Sequence, residues 1–355
     1  MAVLDQLFDA MLSSGASDLH LAQGQPPKLR LHGEVSPIAG WGVLDGETLG
    51  SMLSEICIPK RWERFVETGD LDFAYAYEKK ARFRANYNKQ YAGYGAVFRT
   101  IPSKILTLED LGAPPVLKTF GGFNAGLCLV TGPTGSGKST TLAGVIDFIN
   151  TTTARHIMTV EEPIEFVHPN KKSTIVQREV GIDVPSFAAA LKATSRQDID
   201  VLLVGEMRDL ETIGLAVSGA ETGTLVFGTL HTNSAVKTVD RIIDVFPADQ
   251  QNAIRQSLAV TLRAICAQLL LKKTGGKGRI AAHEILIQNL AVSNTIREGK
   301  NAMLTQIIMS NRALGMQLMD DCIDGYLQKG LVDGTEAYMK SLDKERFKQF
   351  APVKE

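Results

Sequence analysis

Residues 132–140 read Gly-Pro-Thr-Gly-Ser-Gly-Lys-Ser-Thr, and they constrain the fold more than any other stretch of the chain. Gly132, Gly135 and Gly137 allow backbone turns that residues carrying a Cβ resist. The run before them, Leu-Cys-Leu-Val (127–130), is apolar and strand-like, while 140–149 after them has helical spacing. In a strand, glycine loop and helix of this kind, backbone N–H groups turn inward around phosphate oxygens and the helix N-terminus adds its positive dipole. Lys138 then reaches the β and γ phosphates of ATP, and the Ser139 hydroxyl holds Mg²⁺. Pro133, Thr134, Ser136 and Thr140 complete the loop. The alternative is an ordinary glycine-rich turn, which is disfavoured because strand, loop and helix are all in place.

Three further apolar runs, at 157–160, 201–204 and 225–230, alternate with helical segments. Such runs predict an α/β fold with a parallel sheet covered on both faces. Ligands bind at the carboxyl ends of strands in open sheets of this type. The residues that follow these runs are therefore candidates: Glu161, Glu162 and Glu165 after one, Glu206 after another and His231 after the last. In Val-Leu-Leu-Val-Gly-Glu-Met-Arg-Asp (201–209), Gly205 follows the strand directly and Glu206 comes one position late. Pro163 is expected to keep the acidic segment extended.

The first hundred residues have a different character. Val3, Leu4, Leu7, Met11 and Leu12 recur at helical spacing. A hairpin turning at His32-Gly33 follows, then a helical segment over about 46–68. A long alternating stretch broken at Glu78-Lys79-Lys80 and at Gly93 and Gly95 predicts an antiparallel sheet. The proline-containing stretch 101–116 reads as a linker. The expected organisation is an α+β domain over 1–100, a linker over 101–116, and a nucleotide-binding domain with C-terminal helices over 117–355. Arg82, Arg84 and Arg99 lie on alternating strands, where Arg-x-Arg shares one face. They are either solvated or donors of positive charge to a transition state.

An apolar fraction of 44%, a charged fraction of 22% and a net charge of −1 fit an ordinary globular chain. That balance disfavours sequence-independent nucleic-acid binding, although 271–279 is locally basic. Cys57, Cys128, Cys266 and Cys322 are scattered, which predicts reduced thiols in a cytoplasmic protein and no zinc site. No apolar stretch reaches transmembrane length, and the acidic N-terminal helix is unlike a signal peptide.

The order of these motifs resembles the ring ATPases of secretion and pilus systems. Its members are the loop at 132–140, Val-Glu-Glu-Pro-Ile-Glu-Phe (160–166), Gln-Arg-Glu-Val-Gly (177–181), Gly-Glu-Met-Arg-Asp-Leu-Glu-Thr-Ile (205–213) and Ala-Glu-Thr-Gly-Thr-Leu-Val-Phe-Gly-Thr-Leu-His-Thr-Asn-Ser-Ala (220–235). Ser-Asp-Leu-His-Leu (17–21), Arg-Phe-Arg-Ala-Asn-Tyr-Asn-Lys-Gln (82–90) and Val-Phe-Arg-Thr-Ile-Pro-Ser (97–103) extend it into the first domain. The resemblance is greatest to PilT-type retraction ATPases of type IV pili. It implies a PAS-like N-terminal domain, a RecA-like P-loop domain, and a homohexamer with ATP between the two. It also implies action on an inner-membrane platform protein, and indirectly on pilin, from the cytoplasmic face of the bacterial inner membrane. The family's Walker B strand ends in Gly-Glu, so the late acid is expected: Glu206 aligns the attacking water near Mg²⁺, shared with Ser139. Glu162 and Glu165 are the Asp-box candidates, and His231 belongs to the His box.

Three departures stand out. Glu162 replaces the usual aspartate, Thr224 replaces the first His-box histidine, and 195–200 and 291–300 only partly match the family pattern. Four other readings stay open: an accessory retraction paralogue, an extension or secretion motor, a nucleic-acid translocase, and a scaffold that binds ATP without turnover. The longer N-terminal region and tetracysteine insertion usual in extension and secretion motors are absent from this sequence.

Overall fold

The computed structural model describes residues 3–31, 33–78, 80–101, 104–276 and 278–352. His32, Lys79, Pro102, Ser103 and Lys277 from the stretches singled out above lie outside the described residues. Contacts divide the chain into two units, Met1–Lys104 with Glu162–Val167, and Ile105–Glu161 with His168–Glu355.

In the first unit α1 (Val3–Ser14) leads into β1 (Asp18–Ala22), β2 (Lys28–Leu31) and β3 (Glu34–Pro37). The expected helical stretch is two helices, α2 (Gly46–Glu55) and α3 (Pro59–Thr68). It breaks because Pro59 has no N–H to continue a helix and sits instead at the start of α3. Then come β4 (Asp70–Tyr77), β5 (Ala81–Gln90) and β6 (Gly93–Ile101). All six strands form one antiparallel sheet in the order β3-β2-β1-β6-β5-β4.

Period-two alternation decides which face of that sheet is buried. Phe83, Ala85 and Tyr87 of β5 are buried with Phe98 of β6, and Phe8 of α1 packs among them. Its ring stacks on Phe83 at 4.4 Å and meets Phe98 edge-on at 5.1 Å. Arg82, Arg84 and Arg99 occupy the alternate positions, with Arg84 directly opposite Arg99.

The second unit begins earlier than the linker reading placed it. Leu108 is buried and Val116 packs beside it on the unit's core, so the proline-containing stretch from Ile105 onward is part of this body. Its elements are α4 (Leu117–Phe120), β7 (Gly126–Thr131), α5 (Lys138–Thr152), β8 (His156–Glu161), β9 (Thr174–Glu179), α6 (Phe187–Thr194) and β10 (Val201–Val204). They continue with α7 (Leu210–Glu221), β11 (Leu225–Leu230), α8 (Ala235–Asp244), α9 (Gln251–Thr261), β12 (Leu262–Lys272) and β13 (Arg279–Ile287). Four short helices close the chain: α10 (Leu290–Arg297), α11 (Leu304–Ser310), α12 (Met319–Gln328) and α13 (Gly334–Lys340).

The sheet order is β13-β12-β7-β11-β10-β8-β9. Every pairing is parallel except β12 with β13, which pair antiparallel as a hairpin. Every residue of β7, β10 and β11 is buried, because separate apolar clusters cover the two faces. No helix among the described residues is long and apolar enough to cross a membrane.

Phe8→Ala is expected to cost about 3–5 kcal/mol in chemical denaturation of the full chain, since it removes a fully buried ring packed against Tyr75, Tyr77, Phe83 and Phe98. A loss below about 1 kcal/mol would mean that α1 is not part of the core.

Candidate active site

Parallel pairing brings the reactive positions to one edge. Leu230 pairs with Thr131, Val204 with Gly228, and Val160 with Val204. The residues that follow, Gly132, Glu161, Glu206 and His231, therefore leave the sheet on the same side, in the spatial order β7, β11, β10, β8.

The 132–137 loop is built by its glycines. Gly132, Gly135 and Gly137 all have positive φ, at 149°, 76° and 87°, and side chains are strained there. Helices α2, α6, α7, α8, α10 and α13 begin at residues whose side-chain oxygen accepts a backbone N–H. Helix α5 does not. Its cap is Gly137 without a side-chain bond, which leaves the first-turn N–H groups for an outside anion. Lys138 Nζ donates to the carbonyls of Gly132 and Pro133, at 2.8 and 3.1 Å. Its charge is thus folded over the loop, and the buried Ser136 hydroxyl has no hydrogen-bond partner. A phosphate oxygen would satisfy that hydroxyl.

Glu206 is held in place from two directions. The turn after β10 is pinned to β11, where the Thr229 hydroxyl donates to the Gly205 carbonyl at 2.6 Å and Met207 N–H donates to the Thr229 carbonyl at 3.0 Å. Gly205 has little room for a side chain, since a Cβ there would lie 3.2 Å from the Glu161 Cα and the Val160 carbonyl. This close approach explains why the acid arrives one residue late. Arg208 then donates through Nε and Nη2 to the two Glu206 oxygens, at 2.5 and 2.6 Å. His231 Nε2 lies 2.8 Å from Oε1. Burial by itself raises the carboxyl's pKa, but Arg208 and His231 outweigh it and the net shift is downward. Glu206 is therefore a carboxylate at neutral pH. Arg208 is the residue that sequence reasoning missed, although its place two positions after Glu206 in an exposed turn was a usable signal.

The acids after β8 part company. Glu161 stays with the second unit, accepting from the Thr159 hydroxyl at 2.7 Å. Glu162 and Glu165 cluster with the first unit, where Arg82 donates to the Glu165 carbonyl at 3.2 Å and Arg84 lies 3.8 Å from its carboxylate. The Glu162–Pro163 peptide is cis, contrary to the expected extended path. Arg84 also makes a two-nitrogen contact with Asp72, and Arg99 donates to the buried Asp18 at 2.7 Å. Arg84 and Arg99 thus bond carboxylates of their own unit, and Arg82 a backbone carbonyl.

Thr224 lies at the opposite end of β11 from His231 and donates to the Ile199 carbonyl at 3.5 Å. At about 3.3 Å per residue, the strand separates the two by roughly 20 Å. The departing stretch 195–200 is on that far edge too, where Asp200 accepts the His156 N–H at 2.7 Å. Cys57, Cys128 and Cys266 are buried and Cys322 is partly buried, all free thiols.

A Type II/IV secretion system protein model matches residues 64–329. The chain belongs to that family, in its pilus-retraction branch. It is 48% identical over 344 residues to the type IV pilus retraction ATPase PilT of Pseudomonas aeruginosa, covering 97% of this chain and 99% of that one. A twitching motility protein of Neisseria gonorrhoeae is 46% identical, covering 90% of this chain and 85% of its own. The crystal structure of the pilus retraction motor PilT with bound ADP superposes with a TM-score of 0.90 at 40% identity, covering 98% and 99% of the two chains. The loop, the α5 N-terminus and the clamped acid described above all fall within the matched residues.

Arg208→Ala is expected to remove about 0.5 kcal/mol or less at pH 7, because the arginine is largely exposed and screened. The Glu206 pKa is lowered on folding, so this contribution is present above the ordinary carboxyl value of 4.5 and is lost as pH falls through the folded value. Thermal denaturation of both proteins from pH 7 to pH 3 should therefore show the difference shrinking; a gap that widened in acid would refute the clamp.

Proposed function

We propose that this chain is the ATP-hydrolysing motor of type IV pilus retraction. The observation that carries the reading is the clamped Glu206 carboxylate, held on the same sheet edge as an anion-ready glycine loop. The names of its relatives, pilus retraction ATPase and twitching motility protein, give that chemistry its task.

In this reading the loop from Gly132 to Thr140 holds the phosphates, and Lys138 exchanges its two carbonyl partners for β and γ oxygens. Mg²⁺ would be held by the Ser139 hydroxyl, where it supplies charge neutralisation. Among the described residues no group of three or more His, Cys, Asp or Glu could hold a metal ion. That fits an ion that keeps its waters and arrives with phosphates. Glu206 has both oxygens engaged by Arg208 and His231, which favours orienting the attacking water over binding metal directly. His231 acts through Glu206, fixing its direction. Glu162 and Glu165 are assigned to the same chemistry from the motif. Arg84 and Arg99 are bonded to carboxylates and Arg82 to the Glu165 carbonyl in this conformation, and a role toward the transition state requires those partners to release them.

The working form is a homohexameric ring. It acts on a platform protein of the bacterial inner membrane from the cytoplasmic side and through it on pilin. Phosphoryl transfer to water needs positioning and charge stabilisation more than covalent chemistry, and this inventory provides both. The departures at Thr224 and 195–200 lie away from the reactive edge, which supports an active motor over a non-hydrolysing scaffold.

Mg²⁺-dependent ATP turnover is expected in the purified protein, to fall by about 10²–10⁴ in Glu206→Gln, and to be unaffected by single-stranded DNA. Stimulation by DNA would identify a translocase, and tight ATP binding without turnover a scaffold. Thr224→His is expected to leave turnover unchanged; a large change would give the far edge a catalytic role.

A further inference from the structure

Strand β12 outruns its neighbour. Its last pair with β7 joins Ala267 to Thr131, yet it continues to Lys272. The 132–137 loop is therefore walled by an overhanging strand, and Gln268 is the first residue of that overhang. Its side chain is almost wholly buried, with 2% exposure. The Nε2 group donates to the Ser136 carbonyl at 2.6 Å, and Oε1 accepts from the Thr141 hydroxyl at 2.7 Å. One amide thus ties the crown of the loop to the first turn of α5.

We infer that Gln268 is a positioning residue for phosphate binding, a role that rests on the nucleotide-site reading above. In a planar trans peptide the C=O and the next N–H point in opposite directions. Drawing the Ser136 carbonyl toward β12 therefore aims the Gly137 N–H away from β12, at the start of α5 where an anion is received. The neighbouring glycines show how closely this residue fits. A Cβ on Gly137 would come within 2.9 Å of Gln268 Nε2, and one on Gly132 within 2.3 Å of the Gln268 carbonyl. Gly132 is thus required by the approach of this residue's backbone as well as by its own positive φ, and a side chain at Gly137 would displace the Gln268 amide. The opposite residue on β13, His283, is buried with both ring nitrogens unpartnered and a pKa pushed down to about 4, so it is neutral and brings no competing charge. The two bonds of Gln268 do different work: the Ser136 bond orients the peptide, while the Thr141 bond anchors the amide.

The test is titration of fluorescent ADP into the full-length wild type, Gln268→Met and Thr141→Val, with amide exchange of residues 137–139 followed without nucleotide. Methionine keeps the volume and removes both bonds; valine removes only the anchor. Affinity should fall about tenfold to a hundredfold in Gln268→Met and clearly less in Thr141→Val, with faster exchange at Gly137 in the former. If Gln268→Met does not fold, Gln268→Leu decides, since it too removes both bonds and adds no charge beside the anion; it should lose affinity as well. Wild-type affinity in the Gln268 variants, or an equal loss in Thr141→Val, would overturn the inference while leaving the nucleotide-site reading intact. No ADP binding by the wild type would overturn both.

Discussion

The structure depends on the parallel pairing of β7, β11, β10 and β8. A parallel strand cannot be reached by a tight turn, so each pair needs a crossover, and here most crossovers contain helices that bury the sheet's faces. Parallel pairing also sends every strand out of the sheet on the same side. That is why Gly132, Glu161, Glu206 and His231, which span a hundred positions of sequence, leave along one edge. The pinning of Gly205 and Met207 to Thr229 works only because β10 and β11 run in the same direction.

The same polarity sorts the departures from the family pattern. Thr224 and Asp200 stand where strands begin, and they make backbone contacts that start β11 and β8. Replacing a histidine there changes a surface of the opposite edge and leaves the reactive edge as it was. Glu162, in contrast, follows the reactive end of β8 and clusters with the N-terminal unit. In that unit the aromatic core under α1 fixes which face of the sheet is polar. Arg82, Arg84 and Arg99 consequently lie on the polar face, where Arg84 meets Asp72 and Arg99 the buried Asp18.

Local pattern in the sequence determined a good deal. Unbroken apolar runs separated by helical segments pointed to strands covered on both faces, and strict alternation to a sheet with one face buried. The glycine spacing at 132–137 specified a loop whose backbone could turn inward, and alternation placed the arginines of β5 on one face. Pro59 also marked the split between α2 and α3, but the continuous helical periodicity around it hid the break. The extent of the linker was hidden as well, since Leu108 and Val116 show their burial only against the core they join.

Tertiary structure decided the rest. The bond from Gln268 to Ser136 links positions 132 apart in the chain, that from His231 to Glu206 positions 25 apart, and that from Arg82 to Glu165 positions 83 apart. No periodicity encodes such pairs, because periodicity reports only which face of its own element a residue occupies. The sequence by itself determined which residues are candidates for binding phosphate and activating water; the packing of strands against one another decided which neighbours orient them.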